Sequence, residues 1–407
     1  MDNDKLSIAF LGTLVPDSNE YHNPAFNRSG NMVQAGVIEG LNKQGVELKV
    51  LTSQPIPTFP RYNSIFLKRK SINYGQGITI TIIPSINILV IREIFRGIYA
   101  LISLIFWSIK NRKNKRCILV YNVYSPPLPF VYLIGKVTFS KTIAIIYDLG
   151  MPPKTLKLDF FRKFIYQCVE LSAKFFIPRL NGRIVITEAI AQDYAPGKHF
   201  LMIDGGISSN IINRLFPLEL KKNQTEVIFL CAGSLWNGNG VKLILDALKL
   251  NDNPNIRLWF AGAGQDLSLI KKAAETDSRI IYKGMLNLNE LFQIYKSSDV
   301  LLNLRVISEE EGKYLFPSKL LEYLIIGKVV ISTSAVHIKR DYGHLCKIIE
   351  NVNPISLSEL FNEIAEMRKD LMLNIGLKSR EEMLNKHTWD NKSIEIHRYI
   401  NDTVFEK

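Results

Sequence analysis

Residues 312–334 read GKYLFPSKLLEYLIIGKVVISTS. Pro317 and Ser318 suit a helix opening, and Leu320, Leu321, Leu324 and Ile325 recur at helical spacing. Gly327 supplies a C-terminal stop, and Val329, Val330 and Ile331 have the pattern of a buried strand. The pattern predicts a loop, a helix and a strand in succession. A helix that opens at a Pro-Ser turn offers unpaired backbone N–H groups and the positive end of its dipole, which suits a phosphate. Ser318 and Lys319 stand at that end. Glu322 lies within a run, 320–328, that is otherwise almost wholly apolar. A carboxylate on a mostly buried helix needs donors. Two arrangements supply them: an i,i+3 ion pair with Lys319 on an exposed edge, or hydrogen bonds from vicinal hydroxyls, as an acidic residue holds ribose in dinucleotide folds.

Upstream of this unit, four strand patterns run into loops. Val227 to Ala232 leads into Gly233-Ser234-Leu235-Trp236-Asn237-Gly238-Asn239-Gly240, Ile256 to Ala261 into Gly262-Ala263-Gly264, and Ile280 to Lys283 into Gly284. Val300 to Leu304 precedes the acidic loop Ser308-Glu309-Glu310-Glu311. Glycine at a strand end lets backbone amides approach a phosphate ester. One such loop is weak evidence, but their repetition before the Lys319 and Glu322 helix is stronger.

The first half repeats the βαβ plan. Leu6 to Leu14 is a strand, Asn27, Arg28, Ser29, Gly30 and Asn31 belong to the loop that follows, a helix covers about Gly30 to Lys43, and Val46 to Thr52 is the next strand. That loop lies at the carboxyl end of a parallel strand, where open sheets bind ligands. It holds no GxGxxG, so no hydride-transfer cofactor is indicated. Further strands are expected at 117–122, 142–147, 183–187 and 200–203, with a helix at 128–137 and an amphipathic stretch at 158–177. Asp148 ends one strand, where its carboxylate either faces a ligand or caps the following turn. The polar run Lys221-Lys222-Asn223-Gln224 reads as a linker. Two doubly wound α/β domains joined near residue 215, with a ligand cleft between them, are therefore expected.

The chain has 407 residues, 47% apolar and 22% charged, a globular composition long enough for two to three domains. Its four cysteines, Cys117, Cys168, Cys231 and Cys346, form no CxxC pair, so neither a disulfide framework nor a zinc site is suggested and a reducing cytoplasm fits. MDNDKLSIAFLGTL lacks the basic n-region of a secretory signal. The net charge of +13 predicts attraction to polyanions, but no module with a basic stripe and stacking aromatics points to nucleic acid. From Ile88 to Arg116 runs an apolar segment closed by Lys110, Arg112, Lys113, Lys115 and Arg116. Its uncharged part is too short to cross a bilayer. It reads equally as a buried helix with a basic end or as an interfacial membrane helix.

The segments CAGSLWNGNGV, FAGAGQDL, IIYKGMLNLNELFQIYKSSDVLLNL and FPSKLLEYLIIGKVVIST, in that order and spacing, resemble the donor domain of family-four glycosyltransferases (glycosyl transferases group 1) of GT-B fold. NRSGNMVQAGVIEGLNKQGVELKVLT, IIYDLG and the run up to IDGGI are similar to the family's more variable acceptor domain. The resemblance implies two Rossmann-like domains: an acceptor domain at 1–214, a linker at 215–225, a donor domain at 226–385, and a C-terminal helix at 386–407 returning to the first. It also implies a nucleotide-diphosphate sugar as substrate, no cofactor, no obligatory metal, and transfer to a glycan or lipid-linked hydroxyl with retention. The setting implied is surface polysaccharide or glycoconjugate assembly; a cytoplasmic protein is expected, and on the interfacial reading of the Ile88 to Arg116 segment one peripheral on the inner face of an anionic plasma membrane.

Carried over by residue, Glu322 matches the glutamate that holds the ribose hydroxyls. Ser318, Gly233, Ser234, Gly262, Gly264, Gly284 and Met285 fall in donor-binding segments. Asn27, Gly30 and Asn31 fall in the acceptor loop, and Lys319 and Asp148 are the candidate catalytic groups. Tyr314 stands where the family has its first glutamate, and Ser234 and Asn239 where it has the Arg and Lys that hold the diphosphate. These departures keep two alternatives open: a sugar-nucleotide-binding pseudoenzyme or partner subunit, and a sugar-nucleotide epimerase on the same fold.

Overall fold

The first strand, β1 (Leu6–Gly12), is buried along its whole length. A strand with no polar face belongs in the middle of a parallel sheet covered on both sides, and the computed structural model places it there. The structure describes residues 5–123, 126–150, 159–215, 225–333 and 336–406. The linker run 221–224 lies outside them. The chain divides into two units: residues up to Gly206 together with those from Trp389 onward, and Ile207–Thr388.

In the first unit β1 is followed by α1 (Arg28–Lys43) and β2 (Glu47–Thr52), then by short strands β3 (Phe66–Leu67), β4 (Lys70–Gly75), β5 (Ile78–Ile82) and β6 (Ser85–Ile86). Next come α2 (Ile91–Lys110), β7 (Lys115–Tyr121), α3 (Leu128–Thr138), β8 (Lys141–Ile146), α4 (Phe160–Phe176), β9 (Gly182–Val185), α5 (Glu188–Tyr194) and β10 (Leu201–Met202). The eight-stranded sheet has the order β10-β9-β8-β7-β1-β2-β5-β4. All its pairings are parallel except β4 with β5. The chain steps one way from β1 to β2 and the other way from β7 to β8 and β9. Right-handed crossovers therefore put α1 on one face of the sheet and α2, α3 and α4 on the other.

The second unit contains α6 (Ser209–Ile212), β11 (Val227–Ser234), α7 (Val241–Lys249), β12 (Ile256–Ala263), α8 (Leu267–Thr276), β13 (Ile280–Tyr282), α9 (Leu288–Ser297) and β14 (Val300–Asn303). It continues with α10 (Glu309–Gly312), α11 (Lys319–Ile326), β15 (Val329–Thr333), α12 (Val336–Tyr342), β16 (Lys347–Ile349), α13 (Pro354–Ala365) and α14 (Lys369–Lys386). Its six-stranded sheet, β13-β12-β11-β14-β15-β16, is parallel throughout. The stretch expected as an acidic loop forms a helical turn, α10. Its three consecutive glutamates favour a helix, and Gly312 N–H closes the turn on Ser308 O.

The last helix, Trp389–Arg398, belongs to the first unit and packs on α1. Its Trp389 ring sits in a slot of glycines. A Cβ added at Gly36 would lie 2.2 Å from the ring, and one at Gly206 2.6 Å from it. Gly40 makes the same room for Ser393, and Lys43 Nζ reaches the Asp390 carboxylate at 2.7 Å. Removing a buried aromatic ring leaves a cavity. Trp389→Ala is expected to destabilise the first unit by about 3–5 kcal/mol. The measurement is amide exchange across β1 and α1, and unchanged protection there would refute the assignment.

Candidate functional site

In the second sheet the strand order reverses between β11 and β14, and ligands of open α/β sheets sit outside the carboxyl ends of strands at such a point. Two glycines open that edge. Gly233 has φ +117° and Gly262 φ +120°, conformations an L side chain rarely adopts. A Cβ on Gly262 would lie 2.0 Å from Gly233 O, and one on Gly264 1.9 Å from Leu235 O. The strand-end backbones thus touch with no side chain between them, which leaves their mouth to whatever reaches over it.

Lys319 and Arg305 reach over it. Lys319 opens α11, and its ammonium donates to Ala232 O, the last carbonyl before Gly233. Ala232 O also accepts from the Tyr323 hydroxyl at 3.3 Å. A Cβ on Gly233 would collide with Lys319 Nζ, so glycine is what admits the lysine there. Burial pulls the Lys319 ammonium below the ordinary lysine value, while the Glu322 carboxylate opposes that shift and Arg305 adds to it. Lys319 has three N–H donors, so the Ala232 carbonyl does not exhaust it.

Glu322, one turn further along α11, is half-buried. Its carboxylate neighbours the Tyr295 and Tyr323 hydroxyls. Burial raises both phenols well above their ordinary values, and the Glu322 charge raises them further. Its charge also acts on the Lys319 ammonium.

Arg305 was not among the residues expected from the sequence. It follows β14 by two residues, and its guanidinium donates to Asn239 Oδ1, whose amide nitrogen donates in turn to Ser234 O at 2.7 Å. Burial lowers its pKa. The neutral pair Ser234 and Asn239 thus carries a cation delivered from the neighbouring strand. An arginine directly after a buried strand pattern was the available signal.

Ser318 is exposed, and its side chain makes no cap hydrogen bond to α11. Gly284, at φ +82°, has nothing within 4 Å of a Cβ, and its carbonyl accepts from Gly262 N at 2.8 Å. Met285 beside it is exposed. Tyr314 lies beyond α10 with the Lys313 ammonium 4.7 Å from its ring centroid. Among the described residues no group of three His, Cys, Asp or Glu could hold a metal ion.

The first unit has its own site at the reversal between β1 and β7. A cavity of about 190 Å³ is lined there by Thr13, Asn27, Gly30, Asn31, Tyr121 and Asn122 together with Gln54, Arg92, Glu93 and Arg96. Asn27 caps α1 by accepting from Gly30 N at 3.0 Å, and buried Asn31 fixes the preceding loop through both its amide atoms on Val15. Gly30 is small because a Cβ would meet the Tyr121 hydroxyl at 2.9 Å. The charged wall was not anticipated. Arg92 and Arg96 both donate to Glu93 Oε1 at 3.0 Å, and burial brings the Arg96 pKa down to about 10. Asp148 is exposed, its carboxylate accepts from Gly150 N at 2.8 Å and its own N–H donates to Asn122 Oδ1 at 3.0 Å. This is the turn-capping alternative of the two readings.

Residues 226–367 match the family model described as Glycosyl transferases group 1. No curated protein matches the sequence. Among solved structures, the chain is similar to sucrose-phosphate synthase from Thermosynechococcus elongatus, with TM-score 0.62 and 12% identity over 98% of this chain and 99% of that one. The lipopolysaccharide outer core galactosyltransferase WaaB in its apo form gives 0.61 and 14% over 97% and 99%. HepE from Anabaena in complex with UDP gives 0.59 and 11% over 97% and 100%. At these identities the likeness establishes the fold, GT-B with Rossmann-type parallel sheets.

Proposed function

Residues 226–367 carry a glycosyl transferases group 1 domain in a chain of GT-B fold, and from that premise we propose that the protein moves a sugar from a nucleoside-diphosphate sugar to a hydroxyl of a glycan or lipid-linked acceptor, with retention of anomeric configuration. The observation that carries this reading is the mouth of β11, where a glycine-lined backbone edge, Lys319, Arg305 with Asn239, and Glu322 gather at one switch point. It holds donors for a diphosphate and an acceptor for ribose hydroxyls. The complex of HepE with UDP and glucose supports the same ligand class here. Assembly of a surface polysaccharide or glycoconjugate, at a membrane where lipid-linked acceptors are found, is the setting we propose.

The chemistry follows from those groups. The bond from the anomeric carbon to the β-phosphate oxygen breaks and its electron pair stays on that oxygen. The half-buried cations of Lys319 and Arg305 and the N–H groups at the start of α11 stabilise the growing charge in a water-poor setting. Retention in one step requires the acceptor oxygen to bond from the face the diphosphate leaves. The departing phosphate oxygen is then the nearest base for the acceptor proton. In the first unit, the cavity with Asn27, Gly30, Asn31 and the Arg92–Glu93–Arg96 wall is the proposed acceptor site. Binding without turnover is the second reading, favoured by Tyr314 and the neutral Ser234 and Asn239. A panel of labelled donors separates the readings: transfer to an extracted lipid or glycan supports the first, retention of intact donor the second, and interconversion of free donors an epimerase.

Glu322→Gln keeps the shape and weakens charge-assisted hydrogen bonds of about 1.5–3 kcal/mol each. Nucleoside-diphosphate affinity in calorimetry is therefore expected to fall by about tenfold or more, and unchanged affinity in a folded variant would remove the ribose assignment.

Lys319→Met and Arg305→Met are each expected to lower turnover by about 100-fold, as loss of one transition-state donor does. If Lys319 serves only to satisfy Ala232 O, its variant will lose stability in a denaturant titration while kcat stays near normal.

With fixed cations at the leaving group, turnover is expected to persist in chelator. Complete loss that magnesium or manganese restores would contradict this part of the mechanism.

A further inference from the structure

The helices on one face of the first sheet are apolar on the wrong side. Six residues of α2, Ile91, Ile94, Ile98, Ile102, Phe106 and Ile109, recur at helical spacing and are all exposed, Phe106 at 69%. The opposite face of the same helix is already buried, through Gly97, Ala100, Leu104 and Trp107. α4 repeats the arrangement. Ala173 is its one buried residue, while Phe161, Phe164, Cys168, Leu171 and Phe175 form an exposed stripe and Phe160 at its start is 89% exposed. α3 packs against both, with Leu133 and Val137 outward and Phe139 after it 88% exposed. These side chains are exposed with the whole described chain present, and of the two stripes only Phe175 carries a partial cover, the Arg179 guanidinium 3.6 Å from its ring centroid. Scattered surface hydrophobics need no explanation, but helix-long stripes on adjoining helices do.

The charge around them selects the partner. Apart from Arg92, Glu93 and Arg96, which line the cavity instead, segments 91–116, 128–141 and 159–179 hold eleven basic and two acidic residues, a balance of +9 within a chain of +13. Lys110, Arg112 and Lys113 are exposed where α2 ends, Lys136 is exposed on α3, and Arg162 and Lys163 are exposed in the first turn of α4. A protein partner or a second copy of this chain would gain little from such a uniform sign, the second copy least of all, since like charges would meet. A bilayer with anionic headgroups meets both demands: hydrocarbon for the stripes and phosphates for the rim. No described helix is long and apolar enough to cross a membrane. We propose that the outer face of α2, α3 and α4 docks on an anionic lipid bilayer, with the Ile and Phe stripes in the headgroup-acyl boundary and the Lys and Arg side chains snorkelling to phosphate. The proposal goes beyond the transfer reaction and does not depend on it.

The test uses the full chain with vesicles of phosphatidylcholine alone and of phosphatidylcholine with phosphatidylglycerol. Sedimentation is expected with the anionic vesicles only, and partitioning is expected to fall by about tenfold or more as salt shortens the screening length. Phe106→Ser and Phe164→Ser, both on exposed positions, are each expected to weaken partitioning by about tenfold. Cys168 supplies a probe within the α4 stripe. It is the exposed thiol, while burial pushes Cys231 up to about 11 and Cys346 up to about 12 and raises Cys117 further. Its maleimide labelling is expected to slow on anionic vesicles and to be absent in Cys168→Ser. Equal recovery with neutral vesicles, unaltered partitioning of the two Phe variants, or unchanged Cys168 labelling would overturn the proposal. So would concentration-dependent dimerisation that protects Cys168 without lipid. Nucleoside-diphosphate binding, measured on the same variants, stays at the wild-type level if only docking is lost, so failure of this proposal and failure of the transfer reading are told apart.

Discussion

Two strand ends in the second unit approach so closely that a carbonyl of one stands where a side chain of the other would begin. That contact, Gly233 O against Gly262, allows no substituent on Gly262, as Lys319 Nζ allows none on Gly233, and the surrounding chemistry follows from it. Backbone carbonyls at such an edge lose water and need donors. Lys319 and Tyr323 meet that need at Ala232, and in doing so α11 is fixed with its first turn over the strand ends. The cost falls on Lys319, whose ammonium is held where burial disfavours its charge. An arriving diphosphate would relieve that cost, which is how a buried cation becomes selective for an anion.

The two units solve the same problem with different materials. In the second, the switch point is bare backbone with cations arriving from α11 and from the end of β14. In the first, side chains line it: Asn27 and Asn31 are occupied in holding α1 and its loop, and the charged wall comes from α2. A backbone edge suits a ligand part common to many substrates. A side-chain wall can be altered one residue at a time, which suits the part that varies.

Much of the second unit was legible in the sequence because its punctuation is local. Pro317 and Gly327 bound α11 within two residues of its observed ends, while Gly233 and Gly262, read as the first loop residues, prove to be the last but one of β11 and β12. The strand pattern before Arg305 marked the residue, but its pairing was not legible, because the partner, Asn239, stands 66 residues away. Arg92, Glu93 and Arg96 read as interruptions of an apolar run, yet they are an ionic cluster, buried at Arg96 and half-buried at the other two, held against the loop at Gln54 and Ile56. The period of α2 gave the residues that share a face. It could not tell which face is covered, since both sides of that helix are apolar and the choice is made by β-strands and by α3.

The Trp389 slot joins α1 to a helix far along the chain in one core, with the exposed pair Lys43 and Asp390, 347 positions apart, at its edge. During synthesis most of the first unit emerges before the second, but its α1 face stays open until the Trp389 helix, which follows the second unit, has been made. The second unit, whose chain is continuous, can complete its core before that. The usual order, in which the leading domain matures first, is thereby inverted. Until Trp389 arrives, the glycine-lined face of α1 lacks the ring that fills it, so that face is covered only after the second unit has been made.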